Sequence, residues 1–457
     1  MRIAFHQKCG TFLAMKTLSP TIIARPDHCI SRSMISPNAL KALYRLRDHG
    51  FDARLVGGCV RDLMLGREPK DFDLVTDATP SQIKRLFRNC RLVGRRFRLA
   101  HLHYGEEIIE VATFRAVTNG DEEEAESSAD GHPPRLLKSA DGVVLRDNVF
   151  GTPAEDAWRR DFSINSLSYS IADFSVIDYV GGVRDLEQGV IQTIGDPRER
   201  FTEDPVRMIR AVRFAAILGF SLADETRAAL HELAPTIVRA APARLYEELL
   251  KLFLCGTAER VYEELRESGL YRALLPHHAA WLEDADVAAH TWHGHALHEL
   301  DRLVQGGEKV LPAQFLALYF GCYLEFLSRA QADAGAPPAL AIDGALAQFM
   351  EEMLPRVMVQ RRVMLQVREI LQSQRRFASM PGKRAQLFVA RPGFKLALSY
   401  LAFGISVRQQ DPGIVDWWQG FAAGNGEGEP PTVSDGELAP RPKRRRRRRR
   451  RTRTAVT

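Results

Sequence analysis

The sequence predicts an α+β protein: a mixed-sheet head over residues 35–185, an all-helical neck and body over 186–421, and a disordered basic tail over 422–457. Three observations predict it. Up to Tyr179, short apolar strand-like runs alternate with helix-period segments. From Asp204 to about Phe421 only the helical period remains. The chain then passes through a Gly, Pro and acid-rich linker into eight consecutive arginines, Arg444 to Arg451, which repel one another and cannot fold alone.

Bulk composition excludes several classes. A chain of 457 residues can hold two or three domains, and its 45% hydrophobic content is ordinary for a soluble globular protein. The net charge of +6 is misleading, because eleven positive charges and no acid lie from Arg441 onward. The rest of the chain is therefore mildly acidic. Cys9, Cys29, Cys59, Cys90, Cys255 and Cys322 are scattered and form no C-x-x-C pair, so neither a zinc site nor a disulfide framework is indicated. Reduced thiols fit a cytoplasmic protein. No apolar run reaches the roughly 18–20 residues of a membrane span. The first acid is Asp27, but the apolar stretch before it is short and broken. Residues 1–34 thus read as a disordered leader rather than a targeting segment.

The elements follow in order. Ser36-Pro37 offers an N-cap and a first-turn proline, Leu40, Leu43, Tyr44 and Leu46 make an apolar face, and Gly50 ends the helix. A strand from Arg54 to Val56 enters Gly57-Gly58, and a brief helix from Val60 to Leu65 stops at Gly66. The next strand is Phe72 to Val75. Thr79-Pro80 starts a helix reaching about Asn89, and strands follow near Phe97–His103 and Glu107–Phe114. Residues 116–142 are acidic, small and without period, a mobile loop inside the head. Strands near Ile164–Ile171 and Val176–Tyr179 lead to Gly181-Gly182.

The chemistry concentrates in "GGCVRDLMLGREPKDFDL", Gly57 to Leu74. On a strand, residues two apart share a face about 6.6 Å apart, so Asp71 and Asp73 project together and Phe72 turns inward. Paired carboxylates repel unless a cation sits between them. Oxygen ligands of this hardness suit Mg²⁺, which commonly shares its sphere with substrate phosphates. Glu110 breaks the β-branched pattern of "EIIEVATF" and supplies a third acid if its strand lies beside Asp73. Three such carboxylates are what two-metal phosphoryl or nucleotidyl transfer requires. Alone, D-x-D is a common surface pattern. A glycine pair at a strand-to-helix junction strengthens it, because backbone N–H groups can approach a phosphate there and Arg61 can add a charged contact. The G-x-G-x-x-G dinucleotide fingerprint is absent.

These residues resemble the class II nucleotidyltransferases, a family with a polymerase-β-like head that comprises CCA-adding tRNA nucleotidyltransferases and bacterial poly(A) polymerases. "LVGGCVRDLMLG", "DFDL" and "EVATFR" carry the first part of the likeness. "RRDFSINSL" (Arg159–Leu167), "DYVGGVRDL" (Asp178–Leu186), "EDPVRMIRAVRFA" (Glu203–Ala215) and "ARLYEELLKLF" carry the rest, in the family's order. The likeness runs from about Ile35 to Trp418. It implies that Asp71 and Asp73 hold two Mg²⁺ ions and that Glu110 stands near the primer 3′-hydroxyl. It also implies that Gly57, Gly58, Arg61 and Arg160 meet phosphates, with Asp161 and Asn165 near the ribose. Asp204 and Arg207 would read the Watson–Crick edge of the base, the carboxylate accepting from an amine and the guanidinium donating to a ring nitrogen or carbonyl. The neck, 186–260, would then recognise the base and the body, 261–421, would bind RNA. Without that context, Arg207, Arg210 and Arg213 at i, i+3 spacing would read as a solvated helix stripe.

"LVGRRFRLAHL" (Leu92–Leu102) and the arginine-rich C-terminus resemble the poly(A) polymerase branch. Two departures are Cys59, where relatives often carry a small residue, and the acidic insert near Asp121–Glu126. The expected activity is template-independent transfer of AMP from ATP to RNA 3′ ends with release of pyrophosphate, promoting RNA turnover, with RNA-decay proteins as partners. The alternatives are CCA addition to tRNA and a non-catalytic RNA-binding protein. For RNA contacts, Arg375, Arg376, Lys383 and Arg384 surround Phe377 as a basic patch with a stacking ring, or simply form an exposed helix end. The tail, Arg444 to Arg451, is the stronger candidate, with a protein contact as its alternative. His290, His293, His295 and His298 have no cysteine or paired acid to complete a metal site, and no His-Asp dipeptide marks a phosphohydrolase.

Overall fold

The computed structural model describes residues 19–94, 98–116, 137–138, 144–146, 150–378 and 383–424. Residues 1–18, most of the acidic segment and the arginine run lie outside the described residues. The chain divides into two compact units, Met1–Met364 and Leu365–Thr457. The body expected as one piece over 261–421 is therefore shared between them.

The first unit is built on an eight-stranded sheet. Its strands are β1 (Thr21–Ile23), β2 (Ala53–Val56), β3 (Asp73–Thr76), β4 (Cys90–Val93), β5 (Leu99–Tyr104), β6 (Glu107–Thr113), β7 (Ser168–Ser170) and β8 (Val176–Asp178). They lie in the order β1-β8-β7-β2-β3-β6-β5-β4. Only β3 and β6 run parallel; every other neighbouring pair is antiparallel. The chain reaches that parallel partner by a crossover through the Pro80–Leu86 helix and the β4–β5 hairpin.

Local chemistry sets the elements. The Ser36 hydroxyl accepts from the amides of Asn38 and Ala39, and Pro37 opens the helix Pro37–Asp48. That helix buries Ala39, Ala42, Leu43 and Leu46. Its N-terminus is tied to the sheet, because Ser36 Oγ and Asn38 Nδ2 each donate to the Glu107 carboxylate at 2.5 Å. Thr79 and Gln82 form a capping box on the next helix, Pro80–Leu86.

Four expectations change. Order begins before Ile35: β1 pairs with β8, and His28 Nε2 lies 2.8 Å from the Phe174 carbonyl. A three-residue edge strand is too short to show alternation in sequence. β3 begins at Asp73, so Asp71 lies in the segment before the strand instead of on it. β4 was not expected, because Arg91 and Leu92 both face solvent and give no period-two signal. The stretch from Ile164 opens as a 3₁₀ turn, Ser163–Asn165, and the strand starts only at Ser168. The helix Gly182–Gln188 packs onto that turn so closely that a Cβ on Gly182 would fall 2.2 Å from the Ser163 carbonyl oxygen.

Two two-stranded sheets, one of them Val190–Ile191 with Ser221–Leu222, and helices make the rest of this unit, the helices including Pro197–Glu203, Val206–Leu218 and Pro242–Phe253. The second unit has its own core of Phe377, Phe388, Phe394, Ala397 and Trp418. The Trp418 indole N–H donates to the Phe377 carbonyl at 3.1 Å. Phe377 is fully buried and packs edge-on against Phe388 and Trp418. It is a core ring with no face free for a base, which corrects the expectation of a stacking platform. Phe377→Ala should therefore lower unfolding stability by about 3–5 kcal/mol in denaturant titration. Phe377→Leu, which keeps most of the apolar volume, should hold single-stranded RNA affinity within about twofold. A loss of about tenfold or more would restore the ring as a base-stacking surface.

Candidate active site

Sheet register assembles the acids. β3 pairs with β6 so that Asp73 is the direct partner of Glu110, and their side chains leave the same face. Beside them on that face, Val56, Val75 and Phe114 form a small buried cluster. Asp71 lies two residues before Asp73, close enough for its charge to be felt there. The Asp73 carboxyl is pushed up to about 6. Partial burial is the first cause, the Glu110 charge the second, and Asp71 adds to it, while Arg160 opposes them. The crowding is what a cation would relieve, and the donors are all hard oxygens, so the set fits a divalent ion of the Mg²⁺ type. No group of three or more metal-holding His, Cys, Asp or Glu is drawn together in advance among the described residues. Cys59 lies behind Asp73, with Sγ donating to the Val56 carbonyl at 3.3 Å. Burial pushes its thiol up to about 12, so it packs and does not react.

The basic side of the site begins where β2 ends. Gly57 sits at φ +81°, a conformation that favours glycine, and an added Cβ would stand 3.2 Å from Arg160 Nη1. The amides of Gly58, Cys59 and Val60 open the next helix and have no acceptor within it. Arg61 and Arg160 converge on Asn165. Arg61 Nη1 donates to Asn165 Oδ1 at 2.7 Å, and Arg160 Nη1 donates to the Asn165 carbonyl at 3.4 Å. Arg160 is also held by buried Asp156, whose Oδ2 accepts from Nη2 at 3.0 Å. Arg61 is only 7% exposed and rests over the Phe214 ring, so much of it serves to hold Asn165.

Asp161 lies beside Asn165 and is engaged by protein groups. Its Oδ2 accepts from Arg210 Nε at 2.6 Å, and its Oδ1 accepts from the Phe162 amide at 2.9 Å and Asn165 Nδ2 at 3.3 Å. Burial alone would raise its pKa, but the Arg210 guanidinium outweighs burial and holds the carboxyl down at about 2. Both oxygens are engaged within the protein, so Asp161 fixes Asn165 and the Val206–Leu218 helix. Arg210 is accordingly no member of a solvated stripe.

The Arg207 amide donates to the Asp204 carbonyl at 3.0 Å, but the two side chains take different partners. Arg244, on the Pro242–Phe253 helix, forks onto Asp204 with contacts of 2.7 and 2.8 Å. Arg207 Nη1 donates to Glu203 Oε2 at 3.1 Å and to the Arg200 carbonyl at 3.0 Å. Arg200 in turn donates to the Arg159 and Arg160 carbonyls at 2.5 and 2.7 Å. The neck is thus stitched to the loop that carries Arg160. Asp156, Arg200, Arg210 and Arg244 were not singled out as site residues from sequence. Each acts through a partner far along the chain or inside an ordinary helix, and only the arginine spacing of the Val206–Leu218 helix gave any signal.

Of the expected RNA contacts, Arg375 and Arg384 are exposed, and Arg376 is half-buried with its guanidinium 6.0 Å from the Phe388 ring centre. The Lys383 side chain, Arg444 and Arg451 lie outside the described residues. His293 is buried among the rings of Tyr262 and Tyr319, and burial pushes it down to about 4. It is a core residue.

Family models agree with this geometry. Residues 53–192 match the model described as "Poly A polymerase head domain". Residues 219–282 match "Probable RNA and SrmB- binding site of polymerase A", and residues 334–453 match "Polymerase A arginine-rich C-terminus". The chain is 44% identical over 407 residues to poly(A) polymerase I of Salmonella typhi, covering 88% of this chain and 86% of that one. It is 36% identical to the CCA-adding enzyme of Bacillus licheniformis, but over 52% of this chain and 55% of that one. Among solved structures, the Bacillus stearothermophilus CCA-adding enzyme in complex with CTP superposes with a TM-score of 0.57 at 26% identity, covering 86% of this chain and 82% of that one. The mixed-sheet head, the helical body and near full-length similarity together make this chain a member of the poly(A) polymerase I family, within the nucleotidyltransferases that also include the CCA-adding enzymes.

Proposed function

We propose that this protein adds AMP from ATP to RNA 3′ ends without a template and releases pyrophosphate. The observation that carries the reading is the in-register pair Asp73–Glu110, with Asp71 beside it and Arg160 close enough to act on Asp73. Asp71 and Asp73 would hold the divalent ions, Mg²⁺ and two in number. Bound there, such ions lower the pKa of the attacking hydroxyl and neutralise the triphosphate. Glu110 faces the primer end. The Gly57-Gly58 turn, Arg61 and Arg160 receive the phosphates, where charged hydrogen bonds are strongest. Asn165, held between Arg61, Arg160 and Asp161, is oriented toward the sugar. Asp204 and Arg207 select the base, each aimed by its own anchor, Arg244 or Glu203. Since base choice is made by side chains, no template strand is needed. In this reading the enzyme works in the cytoplasm, where added tails promote RNA turnover with RNA-decay proteins. Arg375, Arg376, Lys383, Arg384 and the tail arginines Arg444 to Arg451 grip the RNA backbone.

Incubation with an unrelated RNA oligonucleotide and single nucleotides tests the activity. ATP should give long tails and CTP little incorporation, and Asp73→Ala should abolish extension while leaving RNA affinity within about twofold. CTP incorporation to a fixed length would instead assign CCA addition.

The raised Asp73 pKa has a defined sign. Its folded value near 6 lies above the ordinary carboxyl range, so folding favours the protonated form and this group's contribution to stability falls as pH rises through 6. A bound divalent ion reverses that cost. The thermal shift produced by Mg²⁺ should therefore be larger at pH 7.5 than at pH 5.5, and Asp73→Asn should flatten the difference.

Removal of the chain from Pro440 should weaken single-stranded RNA binding. If about six tail arginines contact phosphates, the log–log salt slope they contribute is about −4. A slope unchanged by truncation would place RNA binding elsewhere.

A further inference from the structure

The same sheet face continues past the acids. Glu110 is the direct partner of His101 on β5, and His101 is the direct partner of Arg91 on β4. Asp73, Glu110, His101 and Arg91 thus form one row across four adjacent strands, with neighbours about 4.8 Å apart. The row behind them on the opposite face is apolar: Leu74, Val111 and Ala100 are each 1% exposed. His101 Nε2 lies 3.3 Å from Glu110 Oε1, and Arg91 at the sheet edge is exposed. His103 stands two residues along the same face, its ring centre 6.4 Å from that of His101. Beyond Glu110, the polar strand positions of this face are the basic groups His101, His103 and Arg91, among the apolar Leu99, Val93 and Ile108, with no acid: Glu107 faces the other way, into Ser36 and Asn38.

The placement is directional. Arg61 and Arg160 lie on the β2 side of the acids, and His101 and Arg91 lie on the β5–β4 side. Transfer of a phosphoryl or nucleotidyl group needs the attacking and leaving oxygens roughly in line. With the triphosphate on the β2 side, the attacking hydroxyl must come from the other. An RNA end is a polyanion, and it has to approach three carboxylates against their repulsion. A cationic group on its path offsets that repulsion.

We propose that His101 and Arg91 form the seat of the primer's last phosphodiesters, so that the 3′-hydroxyl is delivered at Glu110. His101 takes the phosphate nearest the acids, and Arg91, about 10 Å from Glu110 across two strands, takes the one before it. This rests on the polymerase reading above and names the track by which its RNA substrate enters.

Steady-state extension of an oligo(A) primer with ATP and Mg²⁺ tests it. Arg91→Ala and His101→Ala should each raise the primer KM about fivefold or more, a range typical of a charged hydrogen bond at a partly open site. Arg91→Glu should raise it further, and the salt slope of primer binding should fall by about 0.7 for each lost contact. The ATP KM should stay within about twofold. His101→Gln, which retains a side-chain donor, should recover part of the loss. An unchanged primer KM in Arg91→Ala and Arg91→Glu would overturn the proposal. So would a His101→Ala effect confined to kcat, because that assigns His101 to holding Glu110 alone. The site reading itself is tested by Asp73→Ala, so failure of the track and failure of the site are distinguishable.

Discussion

The head is organised around a repulsion. Parallel pairing of β3 with β6 forces Asp73 and Glu110 to be neighbours, and Asp71 stands close by. Without a counter-ion the arrangement is unfavourable, as the elevated Asp73 pKa records. Folding holds it because the register is fixed from the other face, where Leu74 and Val111 are buried. A one-residue slip of either strand would send its acid inward and its apolar side chain out. The price of the acids is thus carried by the apolar side of the same two strands.

A second tier of pairs keeps the surrounding groups still. Asp161 and Arg210 join the loop bearing Arg160 to the Val206–Leu218 helix, and Arg200 donates to two carbonyls of that loop. Arg244 fixes Asp204 from another helix. These contacts are mostly two-pronged or charge-assisted, which sets orientation as well as proximity. In the proposed site, the groups meeting phosphate and base are therefore oriented before a nucleotide arrives.

Much of this was legible in the sequence, and the reasons are physical. Glu110 interrupts an apolar strand pattern, and Asp71 and Asp73 form a D-x-D pair at a strand's start; such features show in one dimension. Ser36-Pro37 and Thr79-Pro80 announce helix starts through local hydrogen bonds. The anchors were not legible. Asp156, Arg200 and Arg244 sit in helices of ordinary composition, and their partners are set by packing. Phe377 misled for the opposite reason: its basic neighbours made it look exposed, while the ring itself turns into a core with Trp418. β4 was missed because an edge strand with two solvent-facing residues has no alternation to read.

The Asp204–Arg244 fork joins residues 40 positions apart in the chain. Its consequence concerns how nucleotide preference changes between related enzymes. If the carboxylate that meets the base takes its angle from a neighbouring helix, that angle follows the packing of the helix. Exchanging apolar residues along Pro242–Phe253 would then retune base choice while every residue touching the nucleotide stayed the same. Two enzymes with identical pockets would differ in what they add, and lineages could drift from one product to another through substitutions that a comparison of pocket residues alone would pass over.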